Sequence, residues 1–404
     1  MLYKGEFEIM DNEFEKYGFA TQCIHAGNEP DAETGAIERP ITMSNSYVLP
    51  YDPSQVNWSS ADDKPLYTRN GGANQMYLQQ RLALLEGGED AVVLGSGVAA
   101  LSGTFFSLLK SGDHVIFSDV TYIAVYRLLN ELFNNKFQVE TTILDTSDLD
   151  AVRNAIKPNT KLIHIETPGN PTLKISDISA IADIAHEHNI LLSVDNTFSS
   201  PFNQKPLELG ADIVIESLTK YINGHGDAMG GVVVSRKEII DKIKTQAMVN
   251  LGGTISPFNA WLIMRGSTTL PLRMKQHNEN GQKVAEYLES LPCVTFVAYP
   301  GLKSFKDHDI ARKQMKGFSG MLSFGIKADH DKHNEFVSKL KVITSAVSLG
   351  HGASLIAFLG EDDERQYLFP DEFSNGFFRM SVGTEDAEDI IADLEQAFKA
   401  VGLL

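Results

Sequence analysis

Residues 191–220 read LLSVDNTFSSPFNQKPLELGADIVIESLTK. Two nearly unbroken apolar runs stand out here, one closing on Asp195 and the other, DIVIES, closing on Ser217. Such runs lack the alternation of a half-exposed strand and suit strands buried on both faces, as in a parallel sheet. A carboxylate ends the first run, and an amine, Lys220, follows the second. Ligands of open parallel sheets bind in the crevice beyond the strands' carboxyl ends, so Asp195 and Lys220 are expected to face one site.

The same texture extends in both directions. AVVL at 91–94 precedes Gly95-Ser96-Gly97, HVIF at 114–117 precedes Asp119, and KLIHIE and GGVVVS follow at 161–166 and 230–235. Amphipathic helices are expected between them, around 126–133 and 176–188. From Pro257 the pattern is a long helix to Glu289, interrupted near Gly266 and Pro271, and then shorter strands (CVTFVA, GMLSFGI, FFRMSV) and a last helix over 385–401. The expected fold class is α/β: a large domain on a mostly parallel sheet, with a smaller α+β C-terminal domain. The expected divisions are an arm over 1–70, the sheet domain over 71–265 and the C-terminal domain over 266–404.

Composition narrows the function. The chain has 404 residues, with 35 Lys+Arg against 53 Asp+Glu, a net charge of −18 that disfavours nucleic acid or an anionic membrane as partner. With 43% hydrophobic residues it is an ordinary globular chain, not a disordered one. Its two cysteines, Cys23 and Cys293, fit neither a disulfide framework nor a zinc site and suit a cytoplasmic location. The N-terminus has no apolar signal-peptide core. The uncharged stretch 91–109 is about as long as a membrane span, but its glycines break it into strand, turn and helix.

The residues at the strand ends point to a chemistry. A lysine flanked by Ser217 and Thr219 and followed by a glycine-rich loop suits covalent attachment of pyridoxal phosphate, whose aldehyde forms a Schiff base with an amine. Asp195 can face the ring nitrogen and keep it protonated. Backbone N–H groups of Gly97 and Val98 at a helix start, with the Ser217 and Thr219 hydroxyls, can cradle the phosphate. Tyr122 can stack on the ring. The run Gly95-Ser-Gly97-Val-Ala-Ala100, with Asp119 about 20 residues on, also fits a dinucleotide fingerprint. An NAD-dependent oxidoreductase is therefore the competing reading, though it leaves Asp195, Ser217, Thr219 and Lys220 unexplained.

The chain resembles the pyridoxal-phosphate enzymes of Cys/Met metabolism, the trans-sulfuration family, from about Thr21 to its C-terminus. The carriers are IHAGNEPDAETGAIERPI, YTR at 67–69, LALLEGGEDAVVLGSGVAAL, ETPGNPT, VDNTFSSP, ESLTKYINGHGDAMGGVVV, SPFNAWLIMRGSTTLPLRM and FFRMSVGTED. The resemblance implies fold type I, with pyridoxal 5'-phosphate as a covalent Schiff base on Lys220. It implies Asp195 at the ring nitrogen, Tyr122 on the ring, Asn170 near the ring hydroxyl, and Gly97, Val98, Ser217 and Thr219 at the phosphate. Tyr67 and Arg69 would reach the phosphate of a neighbouring subunit, making a homodimer the smallest active unit and a homotetramer the expected assembly. Arg379, with Ser348 and Leu349 beside it, would bind the substrate carboxylate. No metal is implied, and His225 reads as a turn residue. The implied activity is carbon–sulfur γ-elimination on a methionine, homocysteine or cystathionine type of substrate, giving a 2-oxo acid, ammonia and a thiol. γ-Replacement, of the cystathionine γ-synthase or O-acetylhomoserine sulfhydrylase type, is the alternative.

Several positions depart from the resembled pattern. Ile123-Ala124 follows Tyr122 where Gly-Gly or Gly-Cys is usual. Gly72-Ala73-Asn74 stands for Asn-Pro-Thr, Glu216 for a histidine, and GEDDERQ at 360–366 for a Met-Thr-His segment. The usual SLGG-x-ESL loop reads Ser348-Leu-Gly-His351-Gly-Ala353-Ser-Leu355. These departures are expected to lie outside the cofactor set. With Ala353 uncharged and Ile123 bulky, a side chain without a distal ammonium is expected to be preferred over cystathionine.

Overall fold

The computed structural model describes residues 14–49, 51, 52, 54, 66–359 and 363–404. Much of the expected arm (1–13, 50, 53 and 55–65) and Gly360, Glu361 and Asp362 of the acidic stretch lie outside these residues. The larger sheet has seven strands: β1 (Asp90–Leu94), β2 (His114–Ser118), β3 (Glu140–Leu144), β4 (Thr160–Glu166), β5 (Leu191–Asp195), β6 (Ile213–Ser217) and β7 (Gly231–Ser235). Their order is β1-β7-β6-β5-β4-β2-β3, parallel throughout except for β7, which runs antiparallel between β1 and β6.

The apolar runs become double-sided core because alternate side chains leave opposite faces of each strand. Val92, Leu94, Val233, Ile213 and Ile215 pack on one side with Phe105 and Ile243. Ala91, Val93, Val232 and Val234 pack on the other with Leu78, Leu82 and Ile263. The uncharged stretch divides as expected into β1 and a helix over Gly97–Leu108, and among the described residues no helix is long and apolar enough to cross a membrane. Ser96 caps that helix by accepting from Ala99 N–H at 3.1 Å.

A second sheet comprises β8 (Val294–Ala298), β9 (Met321–Ile326), β10 (Thr344–Ser345), β11 (Leu355–Leu359) and β12 (Phe377–Ser381), in the order β10-β11-β12-β9-β8. Its own core gathers Phe324, Phe336, Phe378, Leu394 and Phe398. The long helical stretch is two helices, Pro257–Ser267 and Leu270–Ser290, broken near the expected position. Three differences from the sequence reading have physical causes. β7 looks like its parallel neighbours because antiparallel strands buried on both faces carry the same apolar signature. β3 is half exposed at the sheet edge, so ETTIL lacks a continuous apolar run. β10 is only two residues long, too short to leave a pattern.

Candidate active site

The parallel strands end along one edge, and the residues singled out in the sequence collect there. β1 leads through Gly95-Ser96 into the helix beginning at Gly97, while β4, β5 and β6 end on Glu166, Asp195 and Ser217. A Cβ on Gly97 would stand 2.9 Å from Ser217 Cβ, so glycine lets the helix start approach the end of β6. The first turn therefore presents its unsatisfied N–H groups beside the Ser217 and Thr219 segment, a geometry suited to a phosphate.

Asp195 is 7% exposed and accepts from Thr197 N–H at 3.0 Å, and Thr197 Oγ1 in turn accepts from Ser217 N–H at 2.9 Å. Burial pushes the Asp195 carboxyl above its ordinary range, while Thr197 pulls it back. Among the described residues no lysine or arginine pairs with it. A protonated ring nitrogen would supply that missing cation, so the site fits pyridoxal phosphate on its own chemistry.

Lys220 donates to Ser348 Oγ at 2.8 Å. Burial, and then the Arg379 charge, lower its pKa to about 8, bringing a neutral, nucleophilic amine within reach near neutrality. Ser348 has φ +87°, a strained backbone for a non-glycine residue. Arg379 on β12 reaches across from the smaller sheet, donating to Asn170 Oδ1 at 3.1 Å and to the Ser348 carbonyl at 3.4 Å. Tyr122 is 41% exposed beside them, its ring free to lie against a ligand. Val98 is partly exposed in the first turn of its helix, whereas Leu349 is buried in the core with Leu218 and Tyr221. Tyr67 and Arg69 are both exposed, with the Arg69 guanidinium 5.2 Å from the Tyr67 ring. Among the described residues of this one chain, neither side chain hydrogen-bonds to the set.

Three contributors were absent from the sequence-derived set. Glu166 organises the centre: its carboxylate accepts from Asn170 N–H at 2.8 Å, Thr121 Oγ1 at 3.1 Å and Tyr122 N–H. Its place at a strand end was the available signal. Arg365 is buried, pairs with Asp363 at 2.7 Å and donates to the Thr121 carbonyl, so the segment from 363 straps down the Tyr122 loop. Arg127–Glu364, at 2.9 Å, continues this contact. His351 lies 3.4 Å from Ser348 Oγ.

Two of the departures lie close to these residues. His351 joins Ser348, and Glu216 is a buried neighbour of Asp195, its carboxyl held by Asn196 Nδ2 at 3.0 Å and facing Glu86. Burial first, and then the charges of Glu86 and Asp195, push Glu216 well above the carboxylate range. Asp119, the acidic residue of the dinucleotide reading, is instead paired with Lys174 at 2.9 Å. His225 bonds the Asn223 carbonyl at 2.6 Å as a turn residue, and no metal-binding group occurs among the described residues.

Residues 20–399 match the family model for Cys/Met metabolism PLP-dependent enzymes. The chain is 54% identical to a canavanine gamma-lyase of Rhizobium leguminosarum bv. trifolii over 95% of this chain and 96% of that one. It is 40% identical to an L-methionine gamma-lyase of Treponema denticola over 95% and 98% of the two chains. The crystal structure of metB from Corynebacterium glutamicum superposes with a TM-score of 0.88 at 39% identity, covering 96% of this chain and 99% of that one. The γ-lyases among these relatives favour γ-elimination over γ-replacement and hydride transfer. The chain belongs to the Cys/Met metabolism family of pyridoxal-phosphate-dependent enzymes.

Proposed function

We propose that this enzyme is a lyase that eliminates the γ-substituent of a sulfur-containing amino acid of the methionine, homocysteine or cystathionine type, releasing a thiol, ammonia and a 2-oxo acid. The observation that carries the reading is the convergence of Lys220, Asp195 and the Gly97 helix start on one sheet edge, opposite Arg379. Bound pyridoxal phosphate would supply an aldehyde for amines and a protonated ring that takes up electrons from the substrate carbon. Lys220 would hold it; Asp195 would face the ring nitrogen and Asn170 the ring hydroxyl. The N–H groups of Gly97 and Val98, with Ser217 and Thr219, would hold its phosphate.

Arg379 would clamp the substrate carboxylate with two parallel N–H donors, a task for which lysine lacks the geometry. Ser348 and Leu349 would shape that pocket. With substrate bound, Lys220 Nζ would take the Cα proton and then move a proton at Cβ. The Tyr122 phenol gives a proton to the leaving γ-substituent.

A second reading has its own support. The relative at 54% identity is named for canavanine, an amino acid whose γ-carbon bears oxygen rather than sulfur. Its leaving group would depart by the same proton transfers. We place the enzyme in the cytoplasm from its two unpaired, buried cysteines, with the domain division 71–265 and 266–404 following the two sheets. A homodimer, and beyond it a homotetramer, would bring Tyr67 and Arg69 to a neighbour's phosphate. Support comes from their exposure and that of nearby apolar Ile37, Met43 and Val48.

The test is 2-oxo acid release from methionine, homocysteine, cystathionine and canavanine, with Lys220→Ala as control. Release from one or more sulfur substrates supports the first reading, and release from canavanine alone moves the assignment to the second. Full turnover by Lys220→Ala would overturn both.

A further inference from the structure

His351 occupies a position where the resembled loop pattern has glycine, and its ring has a defined place. It lies over Gly226 in the loop that follows Lys220: a Cβ on Gly226 would stand 3.0 Å from ring Cε1 and 3.1 Å from Nδ1. Gly226 has φ +70°, so the backbone passes beneath the imidazole with no side chain between. Ser348 Oγ stands between two nitrogens, 2.8 Å from Lys220 Nζ and 3.4 Å from His351 Nε2. Ser348 itself has φ +87°, an uncommon backbone for a non-glycine residue. A hydroxyl accepts one proton while donating another, so it can pass a proton without changing its own charge. His351 is half-buried, within reach of both the interior and the rim.

We propose that His351 is the outer station of a proton relay, Lys220 Nζ to Ser348 Oγ to His351 Nε2, that exchanges the proton on Lys220 with water during turnover. The proposal rests on Lys220 being the proton-transferring base. The Lys220 ammonium gives one proton to the Ser348 oxygen while the Ser348 hydroxyl gives its own to His351 Nε2. The imidazolium then releases its Nδ1 proton to water, and the reverse order reloads the lysine. Only N–H and O–H bonds change, and no electrons are exchanged between groups.

The electrostatics favour passing the proton on rather than storing it. Burial, and then the Lys220 charge, hold His351 below the ordinary histidine range, so it waits as a neutral acceptor. Arg379 of β12 stands behind Ser348, bonded to its carbonyl. With these two cations near the relay, an imidazolium is a transient carrier.

The experiment follows the isotope. Substrate deuterated at Cα is turned over in ordinary water, and the 2-oxo acid is reduced at once and weighed by mass spectrometry. Native enzyme is expected to retain little deuterium, because the relay washes it out of Lys220. His351→Gly and His351→Gln should both retain several-fold more, whatever happens to their overall rates. Unchanged retention in the two variants would overturn the relay.

A second readout needs no turnover. In protein stripped of cofactor, the ¹⁵N NMR titration of His351 should shift to higher pH in Lys220→Ala. A titration that stays in place would show that the ring does not sense the lysine, and would also overturn the proposal. Failure of the underlying reading looks different: Lys220→Ala itself would turn over substrate.

Discussion

The Arg379 guanidinium donates to the side-chain oxygen of Asn170 at 3.1 Å, joining β12 of the smaller sheet to the loop that leaves β4 of the larger one. Asn170 is itself held through its backbone N–H by Glu166, at 2.8 Å. A residue proposed to grip substrate is thus positioned by the same carboxylate that anchors the Tyr122 loop. Ser323 on β9 reinforces the junction by donating to the Pro171 carbonyl at 2.7 Å.

If Arg379 is the carboxylate clamp, Arg379→Lys keeps the charge and loses the fork. The loss of a charge-assisted bond, about 1.5–3 kcal/mol, should lower kcat/KM by about one to two orders of magnitude. Steady-state kinetics on the variant checks this. The absorbance of the bound cofactor should be unaffected.

Glu166 satisfies three donors from inside the protein, so Glu166→Ala strands all of them. Stability should fall by about 2–5 kcal/mol, read from denaturant unfolding of native and variant protein side by side. Glu166→Gln, which keeps the shape and part of the bonding, should lose less.

Lys220 should titrate near 8 in cofactor-free protein, against an ordinary value of 10.5. Because burial lowers this pKa on folding, the unfolded chain binds more protons between those two values. The lysine's contribution to stability therefore rises with pH across that window, and its penalty is fully present below about 8. Reductive methylation of Lys220 followed by peptide mass spectrometry should show a rate climbing around pH 8, well before the surface lysines.

Mixing two inactive variants tests the proposed crossing of subunits. If Tyr67 and Arg69 serve a neighbour, dimers pairing Lys220→Ala with Arg69→Ala contain one site with every residue intact. Activity should reappear after the two are unfolded and refolded together. Should Arg69 act on its own chain's site, the mixture would stay as weak as its parts.

Most of this architecture was legible because burial on both faces writes an unbroken apolar run, and because strand ends in a parallel sheet define an edge. Asp195, Ser217 and Lys220 could be placed from that alone, and family resemblance added Asn170 and Arg379. What the pattern could not supply was contact between distant segments. Glu166 reads as another strand-end acid until Tyr122 and Asn170 are seen to donate to it. Arg365 looks like a surface charge in an acidic loop, yet it is buried against the Thr121 carbonyl. His351 looks like a loop substitution until Ser348 turns its hydroxyl toward Lys220. The antiparallel course of β7 was hidden for the related reason that direction leaves no trace in a fully buried strand.

The central claim concerns one nitrogen atom. Enzyme purified with its cofactor should be reduced with borohydride, digested and sequenced by mass spectrometry. A phosphopyridoxyl group on the peptide containing Lys220, and on no other lysine, is the predicted result; attachment elsewhere, or none at all in protein that still releases the 2-oxo acid, would contradict it.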